Sequence, residues 1–306
     1  MNLLDIEAFV AVAETGSVNR AALRLHRTQP ATTRRLQNLE AALGGTRLLD
    51  RTARPTALTP AGRRVLEQCR AILRAVAELE AGASGADEVA GELRIGIAHG
   101  LGDLVLDAPL DALRDRFPKL RLNVSSDWTR ALIESVRSGA LDCAICLVTR
   151  EHALPRALAA RAIGPEEVVV VAARKAAVAT RRARRPRLAD LAEAGWVLNP
   201  EGCGCRAALQ RAFDRAGLAL RVSAEVFGEE LQLSMIARGR GLGLVPRRQL
   251  ERCRHRAGLR ALAVGDFALQ AQVVLLHGRS LGALAEAVDR LRGAVAAGMA
   301  GYKKSA

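Results

Sequence analysis

The sequence predicts an α/β protein overall, built in three consecutive parts: an N-terminal all-α winged helix-turn-helix, a linker helix, and a larger C-terminal α/β domain. Three observations predict it. Short apolar stretches at helical spacing, separated by tight turns, fill the first 45 residues. From Glu92 onward, short apolar runs alternate with amphipathic stretches, the pattern of strand and helix in turn. The length of 306 residues exceeds one comfortable core and suits two or three domains. The boundaries expected are 1–60, 61–87 and 88–306.

The opening helix carries Leu4, Phe9, Val10 and Val12 and ends at Thr15-Gly16. Ser17 or Asn19 can cap a second helix, in which Ala21, Ala22 and Leu25 are small or apolar enough for close packing. A turn at Leu25-His26-Arg27 follows, with Thr28 as the next cap and Pro30 in the first turn, where its missing N–H costs nothing. The third helix runs from Gln29 to about Leu43 and stops at Gly44-Gly45. Two short helices joined by a tight turn form the unit whose second helix enters the major groove of DNA. Its outer side presents Thr28, Gln29, Pro30, Thr32, Thr33, Arg34 and Arg35. Arg and Gln suit guanine and adenine edges, and a Thr-rich first turn suits phosphates. After Gly45, residues 46–59 read as a two-stranded wing with Arg51 and Arg54 at its tip, placed for a minor groove.

The formal charge of +14 points to a polyanion, but composition discounts it. Of 46 basic residues only Lys119, Lys175, Lys303 and Lys304 are Lys, which suggests a coding bias toward Arg along the whole chain. Position is more telling. Residues 1–64 hold ten Arg against five Asp or Glu, and no acid falls between Ala21 and Leu39. Aromatics are 3% of the chain, too few to stack single-stranded bases, so duplex DNA is the expected partner. Glu7 and Glu14 with no basic n-region argue against a signal peptide, and no apolar run is long enough to span a bilayer. A soluble, cytoplasmic protein with no membrane partner is expected.

Thr59-Pro60-Ala61 starts a further helix. Val65, Leu66, Cys69, Ile72, Leu73, Val76 and Leu79 alternate by three and four, a seam that an isolated helix must bury, most simply against its twin. A Gly- and Ala-rich hinge at 81–85 follows.

At this point the residues resemble a family. Phe9, Ala13, Gly16-Ser17, Ala21-Ala22, Leu25, Gln29-Pro30, Arg34, Leu39-Glu40, Leu43-Gly44, Leu48, Arg51, Leu58-Thr59 and Ala61-Gly62 resemble the DNA-binding domain of LysR-type transcriptional regulators. Thr33 stands where Ser is usual, Leu49 where Phe is usual, and Gly45 precedes the wing. Phe117-Pro118, Gly139-Ala140-Leu141-Asp142 and Gly239 to Gly243 with Pro246 fit the family's C-terminal domain more loosely. The resemblance implies a two-lobed α/β effector domain resembling periplasmic binding proteins, with lobes at about 88–162 plus 268–306 and 163–267. It also implies a self-associating regulator, dimer or tetramer, that binds promoter DNA, answers to a small-molecule effector, and meets RNA polymerase.

Strand ends at Ala98–Gly102, Asp127–Thr129, Leu147–Thr149, Asn199–Cys203 and Phe227 would line the effector cleft by that analogy. The candidates there are His99, Gly100, Trp128, Thr129, Thr149, Asn199, Gly202, Cys203 and Phe227. Helix N-termini near Gly102, Thr129 and Gly202, with His99, favour a small organic anion; Asp103 and Asp127 oppose one. His99 as a surface histidine and Thr129 as a helix cap are the alternatives.

Six cysteines in a cytosolic chain argue against a disulfide framework. Cys143 and Cys146 sit three apart on a strand, pointing to opposite faces, so one chelate from both is awkward. Cys203 starts a helix, where a thiol pKa falls, which leaves a cysteine-based redox-sensing regulator of the same family as an alternative. A solute-binding protein without DNA binding is a more distant one. The Arg run 181–187 reads as a solvated loop or as a second DNA contact. No P-loop, G-x-S-x-G, H-E-x-x-H or dinucleotide fingerprint occurs, so no enzyme, cofactor or metal is expected.

Overall fold

The computed structural model describes residues 1–50, 55–83, 89–106, 108–149, 152, 154–176 and 185–305, with the side chains at 74, 78, 80–83 and 302–305 outside that description. Contacts divide the chain into two compact units. One is residues 1–89 with the short segments 137–140 and 280–285; the other holds the remaining C-terminal residues.

In the first unit, α1 (Leu3–Thr15) starts in a reciprocal cap between Asn2 and Asp5 and ends at Gly16, whose φ of 63° favours glycine. Ser17 caps α2 (Val18–Arg24), and Thr28 caps α3 (Gln29–Ala42). The wing strands β1 (Leu49–Asp50) and β2 (Ala57–Leu58) pair antiparallel. Glu40 of α3 accepts the Leu48 N–H at 2.9 Å, and Thr56 N–H donates to the Gly16 carbonyl, so both ends of the wing are tied to the helices. Thr59 caps α4 (Pro60–Ala83) through the Gly62 N–H at 2.9 Å. Gly62 is obligatory there, because a Cβ would stand 1.9 Å from the Leu48 carbonyl oxygen. Phe9, Val12, Leu36, Leu39 and Leu48 form the core of this unit. Fully burying each contributes about 1.5–3 kcal/mol.

The second unit begins with β3 (Gly91–Ala98), α5 (Gly102–Val105), α6 (Ala108–Arg116), β4 (Leu120–Asp127), α7 (Thr129–Arg137), β5 (Cys143–Thr149) and β6 (Leu158–Ala173). It continues through β7 (Trp196–Leu198), α8 (Gly204–Arg215), β8 (Val222–Glu225), α9 (Glu229–Ala237), β9 (Gly243–Pro246) and α10 (Arg247–Arg252). It closes with β10 (Leu259–Leu262), β11 (Leu269–Gly278) and α11 (Ala285–Ser305). The main sheet runs β10-β6-β11-β5-β3-β4, with β9 also on β6; β7 and β8 form a separate parallel pair. The long strand β6 is shared, its first part pairing with β11 and its end with β9 and β10.

Three features were not evident from the alternation of apolar and amphipathic stretches. The sheet is mixed: β3 is parallel to β4 and β5, whereas β11, β6, β9 and β10 pair antiparallel. The stretch from Asp103 to Phe117 holds two helices, because Pro109 in the first turn of α6 has no N–H for a continuous ladder. The last part of the chain holds α10 and β10, which apolar periodicity did not reveal. The wing tip, with Arg51 and Arg54, and the run 181–184 lie outside the described residues. No helix among the described residues is long and apolar enough to cross a membrane.

Candidate functional sites

The outer face of α3 is the first site. Thr28, Gln29, Pro30, Arg34, Gln37 and Asn38 are exposed there, and Thr33 is half-buried. Two expected DNA contacts are otherwise engaged. Thr32 is 0% exposed and donates its hydroxyl to the Thr28 carbonyl at 3.1 Å, so it packs the helix interior. Arg35 reaches back to α1, with Nη1 3.1 Å from Asp5 Oδ1 and 3.2 Å from Asn2 Oδ1. A helix turns 100° per residue, so of four successive polar side chains only some can face out.

The apolar stripe of α4 also divides. Leu66, Cys69 and Leu73 pack on the core of the first unit, while Ile72 is 42% and Leu79 72% exposed.

The second site is a cleft of about 60 Å³ in the C-terminal unit, at the ends of β3, β5, β7 and β9. Three rings cluster beside it, two of them in its lining. His99 meets Trp128 at 4.5 Å and Phe227 at 5.5 Å, and Trp128 meets Phe227 at 5.6 Å. Burial, partly opposed by Asp127, lowers the His99 pKa, so the ring is held neutral. Its Nδ1 lies 3.1 Å from Ser126 Oγ. Trp128 adjoins Gly202, whose φ of 103° favours glycine.

Gly100 closes one end. Its carbonyl accepts Gln249 Nε2 at 2.8 Å and Arg248 Nη2 at 3.0 Å. Arg248 is 1% exposed and is paired with Asp103 and, at 3.4 Å, with Glu166. Glu229, on the cleft wall, has its pKa raised by burial and then by Asp103, against hydrogen bonds from Gln249 and the Gly100 N–H.

The far wall is the start of α8. Cys203 is its N-cap, Cys205 lies in its first turn, and Asn199 precedes both. The Cys203 sulfur makes no side-chain cap hydrogen bond to the N–H groups that begin α8. The neighbouring Cys205 thiol foremost, with burial opposing, lowers the Cys203 pKa. That of Cys205 rises well above the thiol range.

Of the expected cleft residues, His99, Gly100, Trp128, Thr129, Asn199 and Cys203 line the cavity. Phe227 and Gly202 are not in the lining; both adjoin Trp128, which is. Two hydroxyls are spent internally. Thr129 Oγ1 donates to the Leu147 carbonyl at 3.1 Å, and Thr149 Oγ1 lies 3.0 Å from His152 Nδ1, because β5 is buried along its whole length. Sequence reasoning missed Gln249, Glu229 and the buried Arg248, since no local signal marks a polar residue whose partners are distant in the chain, as Asp103 is from Arg248 and Gly100 from Gln249. Among the described residues no cluster of three or more His, Cys, Asp or Glu is placed to hold a metal ion.

A helix-turn-helix with a wing, followed by a two-lobed α/β domain enclosing a small cleft, defines a DNA-binding regulator that carries its own effector domain. The family model described as the LysR substrate binding domain matches residues 86–300, and that of the bacterial regulatory helix-turn-helix protein, lysR family, matches residues 3–63. The chain therefore belongs to the LysR-type transcriptional regulators. A probable hydrogen peroxide-inducible genes activator of Mycobacterium xenopi is 39% identical over 150 residues, 49% of this chain and 79% of that protein. The DNA-binding transcriptional dual regulator OxyR of Escherichia coli is 36% identical over 152 residues, covering 49% of this chain and 50% of its own length. Both matches thus span about half of this chain, and the second about half of its relative. YofA of Bacillus subtilis is 27% identical over 83% of this chain and 85% of its own. Among solved structures, a full-length OxyR variant from Pseudomonas aeruginosa superposes with a TM-score of 0.78 at 19% identity, covering 96% of this chain and 94% of that one. ArgP from Mycobacterium tuberculosis gives 0.72 at 22% identity, covering 95% and 96%. At these identities the likeness establishes the fold.

Proposed function

We propose that this regulator reads promoter DNA with the outer face of α3 and that occupancy of the cleft changes how a dimer or tetramer sits on its half-sites. The observation that carries the DNA reading is the exposed set Gln29, Arg34 and Gln37 on one helix face in an acid-free stretch. Thr28, Thr33 and the N-terminus of α3 serve phosphates, and Arg51 and Arg54 serve the minor groove. Self-association runs through the outward apolar residues of α4. Contact with RNA polymerase and a cytoplasmic location go with this reading, which assigns no turnover, cofactor or metal to the chain.

The cleft bounds the effector. A volume of about 60 Å³ holds only a few water-sized groups. The expected organic anion would meet the N–H groups that begin α7 and α8, but also the Glu229 carboxylate and the Cys203 sulfur, and no Lys or Arg among the described lining residues. A compact ligand without negative charge fits this lining better. A second reading, control through cysteine chemistry, is favoured by one observation: Cys203 and Cys205 share the cleft wall. The named activity of the peroxide-inducible relatives accords with it.

The test is a mobility shift on the chain's own upstream region against scrambled duplex, at fixed salt. Selective binding that Arg34→Ala weakens supports the DNA reading, and equal binding to both duplexes overturns it.

A further inference from the structure

Gly100 is gripped by three side chains that are far from it in the sequence. Its N–H donates to Glu229 at the start of α9, and its carbonyl accepts Gln249 Nε2 at 2.8 Å and Arg248 Nη2 at 3.0 Å from α10. Gln249 also donates to Glu229, so the two side chains close a ring with one residue of the loop. The approach requires glycine. Its φ is 92°, and a Cβ would stand 3.0 Å from Gln249 Nε2 and 3.4 Å from Glu229 Oε1. The grip joins the loop after β3 to α9 and α10, and Gly100, Glu229 and Gln249 all line the cleft.

The charges around this grip do not balance. Arg248, 1% exposed, meets Asp103 of α5 and, at 3.4 Å, Glu166 of β6, yet its Nε completes no hydrogen bond. Glu229 is a third carboxyl beside the same guanidinium. Arg252, 3.6 Å from Asp103, is more than half exposed and neutralises little. The other neighbours do not redress the excess. Burial holds His99 neutral, Glu230 is paired with Arg254 and His255, and Glu167 with Arg247. Across the cavity Cys205 keeps its proton, and Cys203, its pKa lowered, can only add negative charge. Three carboxyls around one buried guanidinium cannot all ionise without like-charge repulsion in a poorly solvated place.

We propose that this grip is a proton-operated latch on the cleft: with Glu229 protonated it holds Gly100, and with Glu229 ionised it releases the loop from Gly100 to Asp103. This rests on the reading of the cleft as the control site and makes the proton one of its effectors. Two tendencies oppose each other at Glu229. Hydrogen bonds from Gln249 and the Gly100 N–H favour the ionised form, while burial and Asp103 disfavour it, and the second pair prevails. A carboxyl with a raised folded pKa stabilises its surroundings at low pH, and that contribution is lost as pH rises through the folded value. The latch is therefore firm in acid and loosens toward alkaline pH. Release is felt along the cleft wall, because His99 precedes Gly100 and meets Trp128 at 4.5 Å.

The experiment is hydrogen exchange on the full-length protein from about pH 5 to about pH 8, with rates corrected for their intrinsic dependence on pH. A peptide that contains Gly100 to Asp103 is expected to lose protection as pH rises, while one from β5, buried along its whole length, keeps it. Glu229→Gln holds a neutral side chain at every pH and should keep the loop protected throughout. Glu229→Ala removes the acceptor and should leave it unprotected throughout. A flat profile in the wild type, an equal loss in β5, or a slope that persists in either variant overturns the latch. Footprints on the upstream duplex at both ends of the range test the proton as an effector. The protected length should change with pH in the wild type and stay constant in Glu229→Gln; an unchanged wild-type footprint overturns that role. Any contribution from His26 is common to both chains, so the comparison isolates Glu229. Loss of duplex selectivity at every pH removes the regulator reading beneath it, whereas the exchange profile tests the latch without DNA.

Discussion

Arg35 of α3 lies 3.1 Å from Asp5 of α1, a pair in which the carboxylate is buried and the guanidinium partly open to solvent. It ties the capped start of the first helix to the middle of the helix that faces DNA, and so sets the angle at which Arg34 is presented. Arg35→Ala strands the Asp5 charge. We expect a stability loss of about 1–3 kcal/mol, less than for a fully buried pair because Arg35 is partly solvated. Chemical denaturation checks this. Arg35→Ala at wild-type stability would place Arg35 with the DNA contacts instead.

Arg34→Ala is expected to behave in the opposite way. Its side chain is exposed, so folding stability should change by no more than about 0.5 kcal/mol. Affinity for the cognate duplex should fall by about 1–3 kcal/mol, with sequence preference relaxed at one position. Fluorescence anisotropy at matched salt on cognate and point-altered duplexes reads both quantities.

The division of the α4 stripe separates folding from association. Leu79→Glu changes an exposed side chain and should weaken self-association in sedimentation while leaving the melting temperature of the first unit unchanged. Leu73→Glu forces a charge against the core that includes Leu66 and Cys69, and should lower stability as well. A Leu79→Glu dimer of wild-type strength would remove α4 from the interface.

Gly204→Ala places a methyl group against His152 and should cost about 1–3 kcal/mol. His152→Ala in the same chain should recover part of that loss, because the two sites share one contact. Thermal denaturation of both singles and the double closes the cycle; strictly additive losses would show that the imidazole does not limit position 204.

Glu229 carries a pH dependence whose sign is fixed by its raised pKa, caused first by burial and then by Asp103, with Arg248 opposing. An acid with a raised folded pKa contributes stability below its unfolded value, about 4.3, and loses it as pH rises through the folded value. Glu229→Gln removes that loss and keeps an acceptor oxygen. Its melting temperature relative to wild type should therefore improve steadily from pH 4.5 to 7.5. A difference independent of pH would show that the charge at Glu229 is not what the cleft resists.

The helix-turn-helix was legible because its signals are local. Ser17, Thr28 and Thr59 act as caps within three residues of themselves, and Gly16 ends α1 through its own backbone angle. The cleft was partly legible, since strand ends found His99, Trp128, Asn199 and Cys203. Thr32 and Thr149 misled because a hydroxyl near a site looks the same in sequence whether it faces a ligand or a neighbouring carbonyl or ring nitrogen.

By itself the sequence determined the order of the domains, the helix that faces DNA and the loops that reach the cleft, all consequences of periodicity and capping over a few residues. Only the tertiary structure decided which of those polar groups are at liberty. Arg35 is committed to Asp5, Arg248 to Gly100, Asp103 and Glu166, and the Thr129 hydroxyl to the Leu147 carbonyl. The physical reason is common to all three. The character of a polar group depends on its desolvation and on the partners brought within hydrogen-bond distance, and the chain fixes those only when distant segments close upon one another.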